Sequence, residues 1–135
     1  MIKNRSELLS HGFIKGRKKA LDIAEHALQQ VDPLAAVRRY VRLDGNLLQV
    51  NEDVFNLDNV NNIYAIGAGK ATYPLAVALE EILGDRISDG FIAIKKEQKS
   101  PLSGMLGTLS RIRVAESAHP VPDDTSLAAG QEIWR

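Results

Sequence analysis

Two short motifs hold the residues of this chain that could do chemistry. The first, GAGK at positions 67–70, follows a short apolar run and precedes an amphipathic segment. A strand that turns through glycines into a helix presents unpaired backbone N–H groups and the positive helix end at one point, where anions bind. The motif therefore predicts an anion site, with a purely structural tight turn as the alternative.

Lys70 adds a full positive charge at this turn. A cation at a helix N-terminus is unfavourable by about 0.3–1 kcal/mol, and a bound phosphate or carboxylate offsets that cost. The competing interpretation is an exposed side chain that points at water. We regard Lys70 as the leading candidate for a charge-stabilising residue in group transfer.

The glycine turn does not fit either familiar nucleotide fingerprint. A P-loop needs a glycine five residues before the GK pair and Ser or Thr directly after it, but Tyr64 and Ala71 occupy these positions. In the dinucleotide fingerprint, the third small residue falls on Thr72. The next strand ends in Lys95-Lys96 instead of an acidic ribose-binding residue. Neither a P-loop NTPase nor a typical dinucleotide enzyme is favoured.

The second motif is AHPVPDD at positions 118–124. Its two prolines restrict the backbone and so fix the direction of His119. Asp123 and Asp124 are foremost caps for a following helix. His119 is either a hydrogen-bonded residue that pins the loop or a group that positions a ligand.

The first sixty residues predict a helical and irregular lead-in. The apolar period across residues 18–31 indicates a helix with one buried face, and Asp32 before Pro33 predicts a capped second helix, so the pair forms a helical hairpin. Asp44-Gly45 indicates a turn in a small hairpin or extended connection, and the polar segment 51–61 predicts a loop.

From residue 61 onward, the pattern predicts an open, mostly parallel, Rossmann-like three-layer α/β sheet whose short apolar strands are covered on both faces. The carboxyl ends of its strands bring the Lys70 turn, the Lys95 loop and the His119 loop to one edge. The final helix stops without an exit signal, so we expect a truncated fold. The predicted elements are strands 63–66, 90–94 and 112–115, helices 72–83 and 124 onward, and a long loop at 95–110.

Composition limits the function classes. Lys+Arg and Asp+Glu balance at 17 each, which gives no basis for a nucleic-acid or anionic-membrane partner. The chain has no Cys, and its histidines at 11, 26 and 119 lack ligand spacing, so no metal site is predicted. We find neither a signal peptide nor a membrane-spanning stretch, and we expect a cytoplasmic protein.

GAGKA at 67–71 and HPVPD at 119–123, in this order and spacing, resemble the glycerate 2-kinase family, whose members also carry hydroxypyruvate reductase names. The similarity extends to the VDP step at 31–33. It implies an enzyme that uses ATP and Mg²⁺ to phosphorylate the 2-hydroxyl of glycerate. In that family the lysine of the GAGK turn is catalytic, which implies this role for Lys70.

The resemblance also implies that Gly67, Ala68 and Gly69 lie beside the phosphates or the substrate carboxylate, and that His119 has a positioning role. Family members are much longer and carry a second domain across a cleft. We therefore expect residues 1–135 to be the N-terminal part of the family's N-terminal domain, with a lead-in at 1–60 and a core at 61–135. Since phosphoryl transfer needs groups from several directions, we expect no activity from this piece alone.

Two alternatives remain open at the level of sequence. The GxG after a strand suggests an NAD(P)H-dependent hydroxypyruvate reductase. A non-catalytic alternative is an α/β piece that only binds a small anion or forms a homo-oligomer through bare apolar surface.

Overall fold

The computed structural model describes residues 2–135, which form two sheets and their flanking helices. No helix in this range has the length and apolar character needed to cross a membrane. Short 3-10 turns lie at Leu57–Asn59 and Gly84–Arg86. The helices are α1 Arg5–Leu8, α2 Ile14–Gln30, α3 Pro33–Tyr40, α4 Thr72–Leu83, α5 Lys99–Leu106 and α6 Asp124–Trp134, and the strands are β1 Val41–Asp44, β2 Leu47–Val50, β3 Asp53–Asn56, β4 Ile63–Ala68, β5 Ile87–Lys95 and β6 Ile112–Ser117.

The two predicted N-terminal helices are present. The side chain of Asp32 caps α3 by accepting a hydrogen bond of 2.9 Å from the Ala35 N–H. α3 packs on α4. The prediction of a buried face on α2 is wrong, because none of its residues is buried and Ile23 and Leu28 are 70% and 57% exposed. Its period reflects a helix whose apolar side has no cover within residues 2–135.

A small antiparallel sheet follows in the order β1-β2-β3. The predicted turn at Asp44-Gly45 joins β1 to β2. The prediction of a loop over residues 51–61 is wrong in part, because β3 pairs antiparallel with β2 there. β3 has the sequence DVFN, and all its residues are exposed. Apolar and polar residues do not alternate in it, so the sequence pattern does not reveal this strand.

The main sheet is fully parallel, with the order β4-β5-β6, which confirms the predicted α/β class. α4 and α5 pack on one face, against Ile92 and Ile94 of β5. α6 packs on the other face, against Phe91 and Ala93. The predicted loop 95–110 is wrong in part, since it contains α5.

β5 is covered on both faces, as the apolar strand pattern predicts, but β4 is covered on only one. Ile63 and Ala65 face the core beneath α4, whereas Tyr64 and Ile66 on the opposite face are 63% and 64% exposed. The layer formed by α6 therefore extends over β5 and β6 and leaves β4 bare.

Candidate functional site

The turn after β4 has its shape because of two glycines. A Cβ on Gly67 would lie 2.6 Å from Thr72 Cγ2, so only glycine lets the start of α4 approach the strand. Gly69 has φ of 121°, a conformation that L side chains rarely adopt. Its N–H donates to Ala93 O at 2.9 Å, which ties the turn to β5.

The backbone N–H groups that have no acceptor at this turn belong to the two residues after Gly69. Gly69 N–H is engaged by the sheet, but within residues 2–135 the N–H groups of Lys70 and Ala71 donate to no acceptor. No side chain caps the N-terminus of α4, in contrast to the caps that Asp32 and Asp123 provide elsewhere. The positive end of α4 is therefore open, with two free donors beside the Lys70 side chain.

The three parallel strands end together around a cavity of about 210 Å³. The structure brings Lys70 and His119 into its lining, as expected from strands that end at one edge of a sheet. Gly67 lies beneath the turn and is not part of the lining. The lining residues are Ala68, Gly69, Lys70, Ala93, Ile94, Lys95, Ser117, Ala118 and His119.

The charge and size of this cavity favour a small anion. Its lining contains two lysines and a histidine and no acidic side chain. Ligand pockets for larger molecules usually enclose about 300–1,000 Å³. A space of about 210 Å³ accommodates a carboxylate, a phosphate or a three-carbon acid.

The rim of the cavity is held by polar contacts between the segments that follow β5 and β6. Lys96 Nζ lies 2.6 Å from Asp123 Oδ2, and the Lys96 N–H donates to Ser117 O at 3.0 Å. Asp123 also accepts from the Thr125 N–H at 2.9 Å as the cap of α6. Hydrogen bonds from Lys96 and then Thr125 hold the pKa of the Asp123 carboxyl well below its usual range.

Sequence reasoning misses the contribution of Ser117. The predicted strand ends at Ala115, but β6 continues through Glu116 and Ser117, and Ser117 pairs with Lys95 of β5. The available signal is the extended β-type run up to the AHPVP segment, which sets where the strand stops. The last paired residue of β6 is decided by its register with β5, which is a long-range feature.

The carboxylates and histidines of this part of the chain do not assemble into a metal centre. Among residues 2–135, no group of three or more His, Cys, Asp or Glu side chains is placed to hold a metal ion. Asp123, the carboxylate at the rim described above, is paired with Lys96. These residues therefore do not form an all-protein cage for Mg²⁺.

Fold and site together define an α/β protein with a cavity lined by two lysines and a histidine at the carboxyl ends of a parallel sheet. Residues 19–135 match the family described as "Domain of unknown function (DUF4147)", and the chain belongs to this family.

The named relatives that match most of this chain are glycerate kinases. The chain is 31% identical over 116 residues to glycerate 2-kinase of Pyrococcus horikoshii and 32% identical over 125 residues to glycerate kinase of Homo sapiens, each match covering 86% of this chain. It is 40% identical over 68 residues, half of this chain, to an Agrobacterium vitis protein that carries a hydroxypyruvate reductase name and of which it covers 16%. The resemblance to glycerate kinases is therefore confirmed.

Structure comparison agrees with these matches. A crystal structure of a protein from Pyrococcus horikoshii OT3 is similar with a TM-score of 0.68 and 30% identity over 86% of this chain. The chain spans about a quarter of the length of that protein and of the glycerate kinases, at 24% in each case.

Proposed function

We propose that this chain forms the substrate side of a glycerate 2-kinase active site, with Lys70 as its catalytic cation. The observation that carries the proposal is the position of Lys70, beside an uncapped helix start and in a cavity lined by no acid. Membership of a family with glycerate kinase relatives supports glycerate as the small anion. The proposed enzyme makes 2-phosphoglycerate in the cytoplasm.

The proposed roles follow from the groups present. The Lys70 ammonium and the N–H groups of Lys70 and Ala71 hold negative charge that sits on, or develops near, the bound anion. Gly67, Ala68 and Gly69 shape this cradle. His119 closes the opposite side and orients the ligand, and Lys95 adds a second cation at the rim.

ATP is the phosphoryl donor in this proposal. The cavity suits a carboxylate or a phosphoryl group, whereas the nucleoside and Mg²⁺ require further groups, because residues 2–135 provide no metal cage. We therefore propose that residues 61–135 are the core, and residues 1–60 the lead-in, of a larger N-terminal domain. The second side of the cleft belongs to another part of the glycerate kinase polypeptide.

Binding to the chain alone tests the anion site. We expect D-glycerate and 2-phosphoglycerate to shift the NMR signals of residues 69–72 and 118–119, and Lys70→Ala to weaken binding about three- to tenfold. Lys19→Ala, which removes an exposed lysine from α2, serves as the matched control. Equal affinity in the Lys70→Ala and Lys19→Ala variants would exclude Lys70 from the site.

Catalysis is tested in two settings. With ATP, Mg²⁺ and glycerate, we expect the 135-residue chain to form no phosphoglycerate, because one side of a cleft cannot position both reactants. A chimera in which this chain replaces the matching quarter of the Pyrococcus horikoshii relative should be active, and Lys70→Ala should lower kcat about 10²- to 10³-fold. An active chimera with unchanged kcat after Lys70→Ala would refute the proposed role.

The hydroxypyruvate reductase alternative is not favoured. The relative with that name matches only half of this chain, whereas the glycerate kinases match 86%. In addition, β5 ends at Lys95 and offers no carboxylate for a ribose hydroxyl. Oxidation of NADH or NADPH by the chimera on addition of hydroxypyruvate, without phosphoglycerate formation from glycerate, would reverse this preference.

A further inference from the structure

The side chain of Thr72 is buried at the open start of α4, although it is polar. Thr72 is 8% exposed and is the only buried polar or charged residue among residues 2–135. Its N–H donates to Gly69 O at 3.3 Å, but its hydroxyl makes no hydrogen bond within this range. A nearly buried hydroxyl without a partner costs free energy in the folded chain. The fold alone therefore does not account for this hydroxyl.

The hydroxyl oxygen of Thr72 keeps a small opening to solvent. Among the residues of 2–135 that are not exposed, Gln98 Oε1 is the one side-chain nitrogen or oxygen that is fully buried and lacks a partner. Thr72 Oγ1 also lacks a partner but does not belong to this class, so part of its surface remains accessible. A ligand that reaches the turn before α4 can therefore contact this oxygen.

The methyl group of Thr72 fixes where the hydroxyl points. Thr72 Cγ2 lies 2.6 Å from the position that a Cβ on Gly67 would occupy, so the methyl group packs against the end of β4. A β-branched side chain has few χ1 positions, and a seated methyl group also sets the direction of the hydroxyl. Thr72 Oγ1 lies 3.8 Å from the position of a Cβ on Gly69, a residue that lines the cavity. The hydroxyl is therefore held toward the turn that carries Lys70.

We propose that the Thr72 hydroxyl is a neutral ligand-binding group that donates a hydrogen bond to the anion at this turn, beside the free N–H groups of Lys70 and Ala71. The positive end of α4 favours a hydroxyl whose hydrogen points away from the helix, toward negative charge. The acceptor is an anionic oxygen, which belongs to the carboxylate of the substrate or to a phosphoryl group. This inference rests on the anion site of the proposed function, but not on glycerate or on kinase activity.

Two substitutions separate the packing of Thr72 from its hydrogen bond. Thr72→Val keeps the methyl group against Gly67 and removes the hydroxyl, whereas Thr72→Ser keeps the hydroxyl and removes the methyl group. In the 135-residue chain, Thr72→Val should leave the Tm within about 2 °C and weaken binding of inorganic phosphate about three- to tenfold. Thr72→Ser should lower the Tm by about 3–5 °C and keep the affinity within about twofold. Affinity should thus follow the hydroxyl, and stability the methyl group.

Salt dependence distinguishes this hydrogen bond from the contribution of a surface charge. The ratio of the wild-type and Thr72→Val phosphate affinities should be the same at low and high NaCl, because a neutral donor carries no net charge to screen. The corresponding ratio for Lys95→Ala should fall toward one at high NaCl. Thr108→Val, at an exposed threonine outside the cavity lining, is the matched control and should keep the wild-type affinity. Calorimetric titration measures these affinities.

Two results would overturn the proposal. One is a wild-type phosphate affinity in Thr72→Val, and the other is an equal loss of affinity in Thr72→Val and Thr72→Ser. Parallel titrations with D-glycerate identify the acceptor. A loss with both anions assigns the contact to the carboxylate of glycerate, whose place phosphate can take, whereas a loss with phosphate alone assigns it to a phosphoryl group.

The outcomes also separate this inference from the proposed function. Failure of the wild-type chain to bind either anion would overturn the anion site and the role of Thr72 together. A folded chimera that makes no phosphoglycerate would remove only the kinase proposal, and the ratio of the wild-type and Thr72→Val affinities would still decide the role of the hydroxyl.

Discussion

Lys96 Nζ lies 2.6 Å from Asp123 Oδ2, and this ion pair joins the segment after β5 to the cap of α6. Between Ser117, which accepts from the Lys96 N–H, and Asp123 runs the short segment that carries His119. Both ends of this segment are therefore fastened to Lys96. The pair therefore holds the segment that carries His119 without lining the cavity itself.

The Asp123 carboxyl should make folding stability depend on acid pH. Its pKa in the folded chain is lowered by hydrogen bonds from Lys96 and Thr125, so its contribution is present above the unfolded value of about 4 and is lost as pH falls towards the folded value. The urea midpoints measured at pH 5 and at pH 2 should differ less in Asp123→Asn than in the wild-type chain. This variant retains a capping side chain. Asp53→Asn, at an exposed carboxylate on β3, should keep the wild-type difference. An equal difference in both variants would argue against the Lys96 pair.

The close approach of Thr72 to Gly67 should make this glycine irreplaceable. Gly67→Ala places a Cβ 2.6 Å from Thr72 Cγ2 and should destabilise the chain by about 1–3 kcal/mol in chemical denaturation. Thr72→Ser in the same background removes the clashing methyl group and should recover part of the loss. Gly130→Ala in α6, where no neighbouring atom lies within 4 Å, should instead stabilise by about 0.5–1 kcal/mol. Additive effects of the Gly67 and Thr72 changes would show that the two do not clash.

The buried hydroxyl of Tyr73 should contribute to holding α5 in place. Tyr73 is 1% exposed, and its hydroxyl donates to Gly107 O, directly after α5, at 2.8 Å. Tyr73→Phe leaves this carbonyl without its donor and should cost about 1 kcal/mol in urea denaturation. Tyr64→Phe, at a ring 63% exposed on β4, should change stability by less than about 0.5 kcal/mol. A loss of similar size in both variants would not fit a specific hydrogen bond.

Lys95 should strengthen anion binding less than Lys70 does. Both lysines line the cavity, but Lys95 follows a strand end and lacks an adjacent helix terminus. Lys95→Ala should weaken binding of inorganic phosphate about two- to fivefold at low salt, the range expected for one exposed charge. Lys99→Ala removes a nearby lysine outside the lining and is the control. Calorimetric titration at low and high NaCl measures both, and a loss that persists at high salt would contradict a screened electrostatic role.

Local signals in the sequence determine much of this fold. The helix predicted over residues 72–83 matches α4, and the aspartates before α3 and α6 cap these helices as their spacing predicts. The three apolar runs become the three parallel strands, although each strand is longer than its run. Caps, periodicity and apolar runs act within a few residues, so they can be recognised without knowledge of the partner.

The elements that the sequence did not reveal depend on distant partners. β3 has the sequence DVFN, is fully exposed and exists because β2 supplies its hydrogen bonds. α5 contains Pro101 and Gly104, which weaken its helical signal, and it is held where Leu102 and Leu106 pack against the core beside α4. The apolar period of α2 correctly predicted a helix but not the absence of cover.

The candidate site shows the same division. The sequence alone determined that a glycine turn, a lysine and a helix start lie together, because they are neighbours in the chain. Only the tertiary structure decided that Gly69 N–H belongs to β5, that Lys70 and His119 share one cavity, and that β4 keeps a bare face. The physical reason is that strand register and layer coverage depend on pairing between residues far apart in sequence, which no local pattern encodes.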